Sequence, residues 1–400
     1  MTISPAARRT LPPLVLGIGI AVTAFNMRTA IVGVGPLLDT IRADLGMSTT
    51  VAGLLTTLPV VCFGTLAGLA PGLARRIGID LMIWLTMVGL TLGILLRAFH
   101  PVWMLFLGTA VLGASIAFAN VLVPAVVKRD FPTRTGMLTG VYTMCLTLGG
   151  AMAAALMVPL YEHTDLGWRG ALATLAIPST LAVIALSPRL LTNRASRAEA
   201  IRADPVRPRL WGDRLAWQVS LFMGLQSFVF FGIGSWMAVL LADAGLSDAR
   251  AGFMWSLCNV AGLPSSFLMP IAAQKVRDQR LLVGGLIVVW GIAVTGLLVA
   301  PATATVVWMI FFGLGGGAAL ALALMFIVLR SPNAVTAASL SGMAQAVGYC
   351  LAAFAPFLFG LLHDLTGGWH ASVVMILLVL VAMLLVGLRA GQNRLVGTPA

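Results

Sequence analysis

Residues 12–38 read PPLVLGIGIAVTAFNMRTAIVGVGPLL. At ~1.5 Å of rise per residue, the stretch is long enough to cross the ~30 Å hydrocarbon core of a bilayer as a helix. Its single charge, Arg28, lies well inside it, about 12 Å of helix short of Pro36. An extended side chain would reach the headgroups only in part. A guanidinium at that depth costs roughly 2.5 to 3.5 kcal/mol on insertion scales and needs a partner or a water-filled cavity. The stretch thus says two things at once: the chain enters a membrane, and it carries a cation in with it.

Working outward, the whole chain has the same character. Over 400 residues the mean hydropathy is +1.01, with 60% hydrophobic and 10% charged residues, far from soluble composition. Apolar runs of membrane-crossing length are expected near 12–37, 51–73, 80–99, 102–127, 137–160 and 168–186, and again near 216–241, 251–273, 281–300, 305–329, 337–362 and 370–388. The fold class is therefore an all-α polytopic membrane protein with twelve transmembrane helices. Short loops and one connector, residues 187–215, leave no room for a soluble catalytic domain. No enzyme activity and no cofactor are expected. The first span is too long for a cleavable signal peptide and is expected to remain as a helix.

Charge sets the orientation. Basic residues crowd the N-terminus, the even-numbered loops and the C-terminus, while the odd-numbered loops hold only Arg42, Arg97, Arg169 and Arg250. By the positive-inside rule both termini are expected in the cytoplasm. The same asymmetry accounts for the net charge of +12, so no nucleic-acid partner is inferred from it. No Asp or Glu sits mid-membrane. The four cysteines, Cys62, Cys145, Cys258 and Cys350, fall in different spans and read as small apolar residues, not as a disulfide or metal framework.

An internal repeat is visible. DLGMSTTVAG (44–53) recurs as DAGLSDARAG (243–252), an offset of 199 residues, and PGLARRIG (71–78) pairs with PIAAQKVR (270–277) at the same offset, matching Arg76 to Lys275. Two six-helix bundles related by a pseudo-twofold axis follow. Residues 1–186 form the first, 216–400 the second, and the basic stretch 187–215 is their cytoplasmic linker.

The spans contain few polar side chains. Those able to face a cavity near mid-membrane are Asn26 and Arg28 in the first span, Asn120 in the fourth, Tyr142 in the fifth, Gln226 in the seventh, Asn259 in the eighth, and Gln345 and Tyr349 in the eleventh. Ser341, Gln345 and Tyr349 share one helical stripe. Asn26 and Gln226, about 200 residues apart, are expected at similar depths on equivalent helices. Ser115, Thr147 and Ser256 read instead as interhelical hydrogen bonders. A lone cation without an internal carboxylate suits a small anion, or a neutral acceptor with a strong dipole such as a nitro group. The rival reading satisfies Arg28 with backbone carbonyls, Asn26 and water. Trp168, Trp236 and Trp369, near span ends, read as interfacial anchors. The four histidines lie at span ends. GLGGGAAL (313–320) sits inside the tenth span and reads as helix packing, not a dinucleotide loop.

Six plus six helices with such a connector resemble the major facilitator superfamily (MFS), and more narrowly its cyanate and 2-nitroimidazole permease (CynX/NimT) family. The resemblance rests on NMRTAIVGVGPLL (26–38), LLTTLPVV (54–61), VLVPAVVKRDFP (121–132), LMPIAA (268–273), DQR (278–280) and GMAQAVGY (342–349). It implies a secondary active or facilitative transporter in a bacterial inner membrane, moving a small anionic or strongly polar solute by alternating access; a monomer is expected, because each repeat pair already encloses its own pathway. One feature departs from the superfamily pattern. After the second span, where G-x-L-x-D-R-x-G-R is usual, Pro71 replaces the first Gly and Arg75 replaces the Asp. A cytoplasmic gate is then expected from Arg75, Arg76 and Lys275, with acids of the linker. With no carboxylate in the spans, facilitated diffusion or exchange is expected ahead of proton symport. Two alternatives stay open: an efflux permease for small toxic organics with a structural Arg28, and a membrane sensor that binds without transporting.

Overall fold

The computed structural model describes residues 13–192 and 210–397. Most of the linker expected at 187–215, and the cationic pair Arg8 and Arg9, lie outside the described residues. Twelve helical spans cross the molecule: α1 (Leu14–Leu45), α2 (Val51–Ile77), α3 (Ile79–Leu96), α4 (Val102–Asp130), α5 (Thr135–Glu162) and α6 (Gly167–Pro188), then α7 (Arg214–Asp243), α8 (Ala249–Lys275), α9 (Arg280–Val299), α10 (Thr305–Arg330), α11 (Ala334–Thr366) and α12 (His370–Ala390). No strand occurs among the described residues. Apolar length makes these helices, because in hydrocarbon every backbone amide must bond within its own segment.

Proline and glycine punctuate them. The α1 helix proper ends at Val32, and Pro36 opens a short turn from which the chain continues as Leu38–Leu45, ending at Gly46 with φ 61°. Asp39, Arg42 and Asp44, expected in a loop, therefore ride on a helical extension. In α11 the break comes after Ala353, with Pro356 in the first turn of the next segment.

The repeat is realised in matching contacts. Trp168 Nε1 donates to Asp44 Oδ2 at 2.9 Å, and Trp369 Nε1 donates to Asp243 Oδ2 at 2.8 Å. These tryptophans were expected to be interfacial anchors. Instead Trp168 is buried, and both fasten the sixth helix of their bundle to the first. Trp236 likewise spends its N–H on the Pro356 carbonyl. At the other end of the molecule, Arg129 of α4 clasps the Asp80 carboxylate at 2.7 and 3.0 Å, and Arg330 of α10 meets Gln279, the equivalent position before α9.

The two bundles meet near the face that carries the chain ends, called here the terminal face. There α5 packs closely on α8: a Cβ added at Gly136 or Gly140 would lie 2.5 Å from the carbonyl oxygens of Pro270 and Phe267. Gln274 of α8 accepts from the Gly136 amide at 2.6 Å and donates to the Thr133 carbonyl at 2.8 Å. Thr143 donates to the Ser266 carbonyl at 2.6 Å. Gly342 of α11 sits against Pro71 and Ala67 of α2. The terminal face is thus closed by backbone and amide contacts. Arg75, Arg76 and Lys275, expected to form that gate, make no hydrogen bond or ion pair among the described residues. Of their expected acidic partners, Glu199 and Asp204 lie outside the described residues, and Asp213 instead caps α7. The reason is geometric: the helices come close enough there for backbone to meet backbone, and long side chains are pushed to the rim.

Candidate functional site

Above this closed seam lies a cavity between the bundles. Arg28 with Met27 and Ile31 enters from α1, Phe63 from α2, Asn120 and Ile116 from α4, and Tyr142 and Leu146 from α5. From the second bundle come Met223 and Phe231 of α7, Leu320 and Leu324 of α10, and Gln345 and Tyr349 of α11. Arg28 reaches the cavity by lying over Gly150 of α5, where an added Cβ would be 2.9 Å from its Cγ.

The polar lining is partly wired. Tyr142 donates its phenol hydrogen to Asn120 Oδ1 at 3.0 Å. Gln345 donates from Nε2 to the Asn120 carbonyl oxygen and to Ser341 Oγ, both at 2.9 Å. The Tyr349 ring rests on Phe63, centroids 5.2 Å apart and planes tilted by 52°. Uncommitted among the described residues are the Arg28 guanidinium, the Tyr349 hydroxyl, the Asn120 amide nitrogen and Gln345 Oε1. Donors outnumber acceptors, and among the described residues no Asp, Glu or His lines the cavity. Such a set can hold an anion or a strong hydrogen-bond acceptor.

Two other arginines show how this protein treats a buried guanidinium. Arg97, just past α3 and 1% exposed, donates to the Ala30 carbonyl at 2.8 Å and to Thr109 Oγ1 at 3.0 Å. Arg330, 2% exposed, donates to the Ala390 carbonyl at 2.8 Å and to Gln279. Burial away from any carboxylate lowers the Arg97 pKa to about 9, and the group stays charged at neutral pH. Both have protein acceptors in place, although Arg97 Nη2 is left without one among the described residues. Arg28 has none among the described residues. Counting Arg97 as a loop cation missed its burial; its place on the arginine-poor side of the molecule was the available signal.

Of the eight residues read from sequence as cavity candidates, the structure gathers Arg28, Asn120, Tyr142, Gln345 and Tyr349, and leaves three outside the lining. Asn26 turns away and spends its amide on the carbonyls of Val22 and Pro178 at 2.8 and 3.1 Å, tying α1 to α6. Gln226 bonds the Met223 carbonyl and Ser227 Oγ, and Asn259 bonds the Trp255 carbonyl. Asn26 and Gln226 therefore do not face each other. Ser115, Thr147 and Ser256, read as interhelical hydrogen bonders, each bond instead a carbonyl one turn back in their own helix. Gln274 and the apolar lining had no charge or motif to single them out.

Comparison with known proteins adds to this picture. The sequence profile of the Major Facilitator Superfamily matches residues 16–353. The chain is 39% identical over 378 residues to an uncharacterized transporter of Bacillus subtilis (strain 168), YycB, covering 94% of this chain and 93% of that one. It is 37% identical over 381 residues to the 2-nitroimidazole transporter of Escherichia coli (strain K12), covering 95% and 96%. To the cyanate transport protein CynX of the same organism it is 29% identical over 374 residues, covering 92% and 95%. Among solved structures, the proton:xylose symporter XylE bound to 6-bromo-6-deoxy-D-glucose superposes with a TM-score of 0.75 at 14% identity, covering 93% of this chain and 94% of that one. At that identity the likeness is one of fold.

Proposed function

The chain belongs to the major facilitator superfamily, and on that footing we propose that the Arg28 cavity is where this transporter holds its small anionic or strongly polar solute. The observation that carries the reading is the contrast among three arginines. Arg97 and Arg330 are held by acceptors of the protein itself, while Arg28 points into a cavity with none among the described residues. A desolvated guanidinium is stabilised by a ligand that brings negative charge or a strong dipole. Tyr349 and Asn120 supply further donors, and Phe63 and Phe231 supply apolar walls for the rest of the solute.

The terminal face is cytoplasmic in this reading, following the positive-inside distribution of arginines. Residues 1–186 and 216–400 act as the two rocking bodies of a monomer in a bacterial inner membrane, joined by 187–215. In this reading the closed seam bars the cavity from the cytoplasmic side.

The test is ligand-induced thermal stabilisation of the purified protein, with cyanate, 4-hydroxybenzoate and 2-nitroimidazole as probes. Stabilisation by either anion in wild type and in Arg28→Lys, lost in a folded Arg28→Gln, supports the reading. Equal stabilisation of wild type and Arg28→Gln by 2-nitroimidazole alone would favour the second reading, an efflux permease for neutral organics. The predominantly apolar lining is what favours that alternative.

A further inference from the structure

Resting on the assignment of Arg28 as the anion site, we infer that this carrier is an exchanger of monovalent anions, which moves one solute out for each one it brings in. The inference begins from the charge of the empty site. Alternating access requires a moment at which the cavity is shut on both sides. If the site is empty at that moment, the Arg28 guanidinium is cut off from bulk water. No protein acceptor is bonded to it, and no carboxylate stands in the lining among the described residues. A carrier built on a carboxylate can discharge itself for the return by taking up a proton. An arginine has no such route, because it does not give up its proton in this range. Only a solute can neutralise it.

The loaded site is neutral when the solute carries one negative charge, and the barrier to switching is then at its lowest. A dianion would leave one charge unmatched, which sets the valence. The empty carrier retains a lone buried charge, and its switching is slowed accordingly. Arg97 and Arg330 show that the fold can give a buried guanidinium acceptors of its own, a carbonyl together with Thr109 or Gln279, even where one nitrogen, Arg97 Nη2, stays unpaired among the described residues. Leaving Arg28 unsatisfied therefore ties its movement to the presence of a solute.

The experiment is uptake of radiolabelled cyanate and, separately, of radiolabelled 4-hydroxybenzoate into proteoliposomes. Vesicles are either empty or preloaded with the same unlabelled anion, and potassium with valinomycin holds the membrane potential at zero. Preloading is expected to accelerate initial uptake by about tenfold or more for the anion that binds. Arg28→Lys, which keeps the charge, is expected to keep the acceleration, and Arg28→Gln to lose it. Saturable uptake at equal rates into empty and preloaded vesicles overturns exchange while leaving the anion site standing. If neither anion is taken up, or if Arg28→Gln transports either one as wild type does, the anion site falls and exchange falls with it.

Discussion

Gln345 in α11 reaches across the molecule to the backbone carbonyl of Asn120 in α4, 2.9 Å away, at the level of the cavity lining. Asn120 in turn receives the phenol of Tyr142. The solute cavity and the joint between the bundles therefore share residues, and a change in one is felt in the other. Replacing Gln345 with Leu removes a cross-bundle bond worth about 1 kcal/mol. The expected outcome is a shift of roughly fivefold toward the conformation open at the terminal face, read as faster labelling of a cysteine placed at Leu324 by a thiol reagent added on that side.

Gly140 is a sharper test of the seam. Its position against the Phe267 carbonyl leaves no space for a side chain, and overpacking of this kind typically costs 1 to 3 kcal/mol. Gly140→Val should fold, bind solute weakly or not at all in the terminal-closed form, and lose transport by about tenfold or more. Uptake assays together with size-exclusion profiles check it, and wild-type rates in a monodisperse variant would count against the seam.

Arg97 is expected to behave as structure. Arg97→Ala leaves the Ala30 carbonyl and Thr109 without their donor and opens a void, a loss of about 2 to 4 kcal/mol. Arg97→Met refills the volume and should recover part of it. Thermal unfolding in detergent separates the two variants, and the stabilisation by bound solute in Arg97→Met is expected to match wild type.

With no Asp, Glu or His among the described lining residues, an imposed pH gradient is not expected to drive accumulation. Uptake at zero membrane potential, with the outside stepped between about pH 6 and pH 8, the range in which histidine and shifted carboxylates titrate, should change by less than about twofold. Accumulation that follows the gradient would place a proton-carrying group elsewhere on the pathway.

Much of this architecture was legible in the chain. Twelve apolar runs of bilayer length admit no fold but a helical one, and the 44–53 and 243–252 segments announced the repeat that the Asp44–Trp168 and Asp243–Trp369 bonds realise. The depth of Arg28 marked the cavity, because depth depends only on position along a helix. Rotation was harder. Asn26 and Arg28 are two residues apart, roughly 200° around the helix at 3.6 residues per turn, so the two cannot both face the cavity; that periodicity argument, applied to the sequence, separates them. Gln226 and Asn259 failed for another reason: each can reach a carbonyl on its own helix, and an amide that can satisfy itself locally gives no sign of doing so in sequence. The α5–α8 seam was not foreseen because charge was followed where glycine mattered.

The seam between α5 and α8 is made where Gly136 and Gly140 press on the carbonyls of Pro270 and Phe267. Contacts of that kind are indifferent to which side chains lie a few residues away. Met27, Leu146, Leu320 and Leu324 can therefore drift in size and shape without disturbing the surface on which the bundles roll. Descendants of such a chain can vary the apolar part of their cargo while inheriting this seam intact, whereas Asn120, Tyr142 and Gln345, which serve both cavity and joint, are not free to change in the same way.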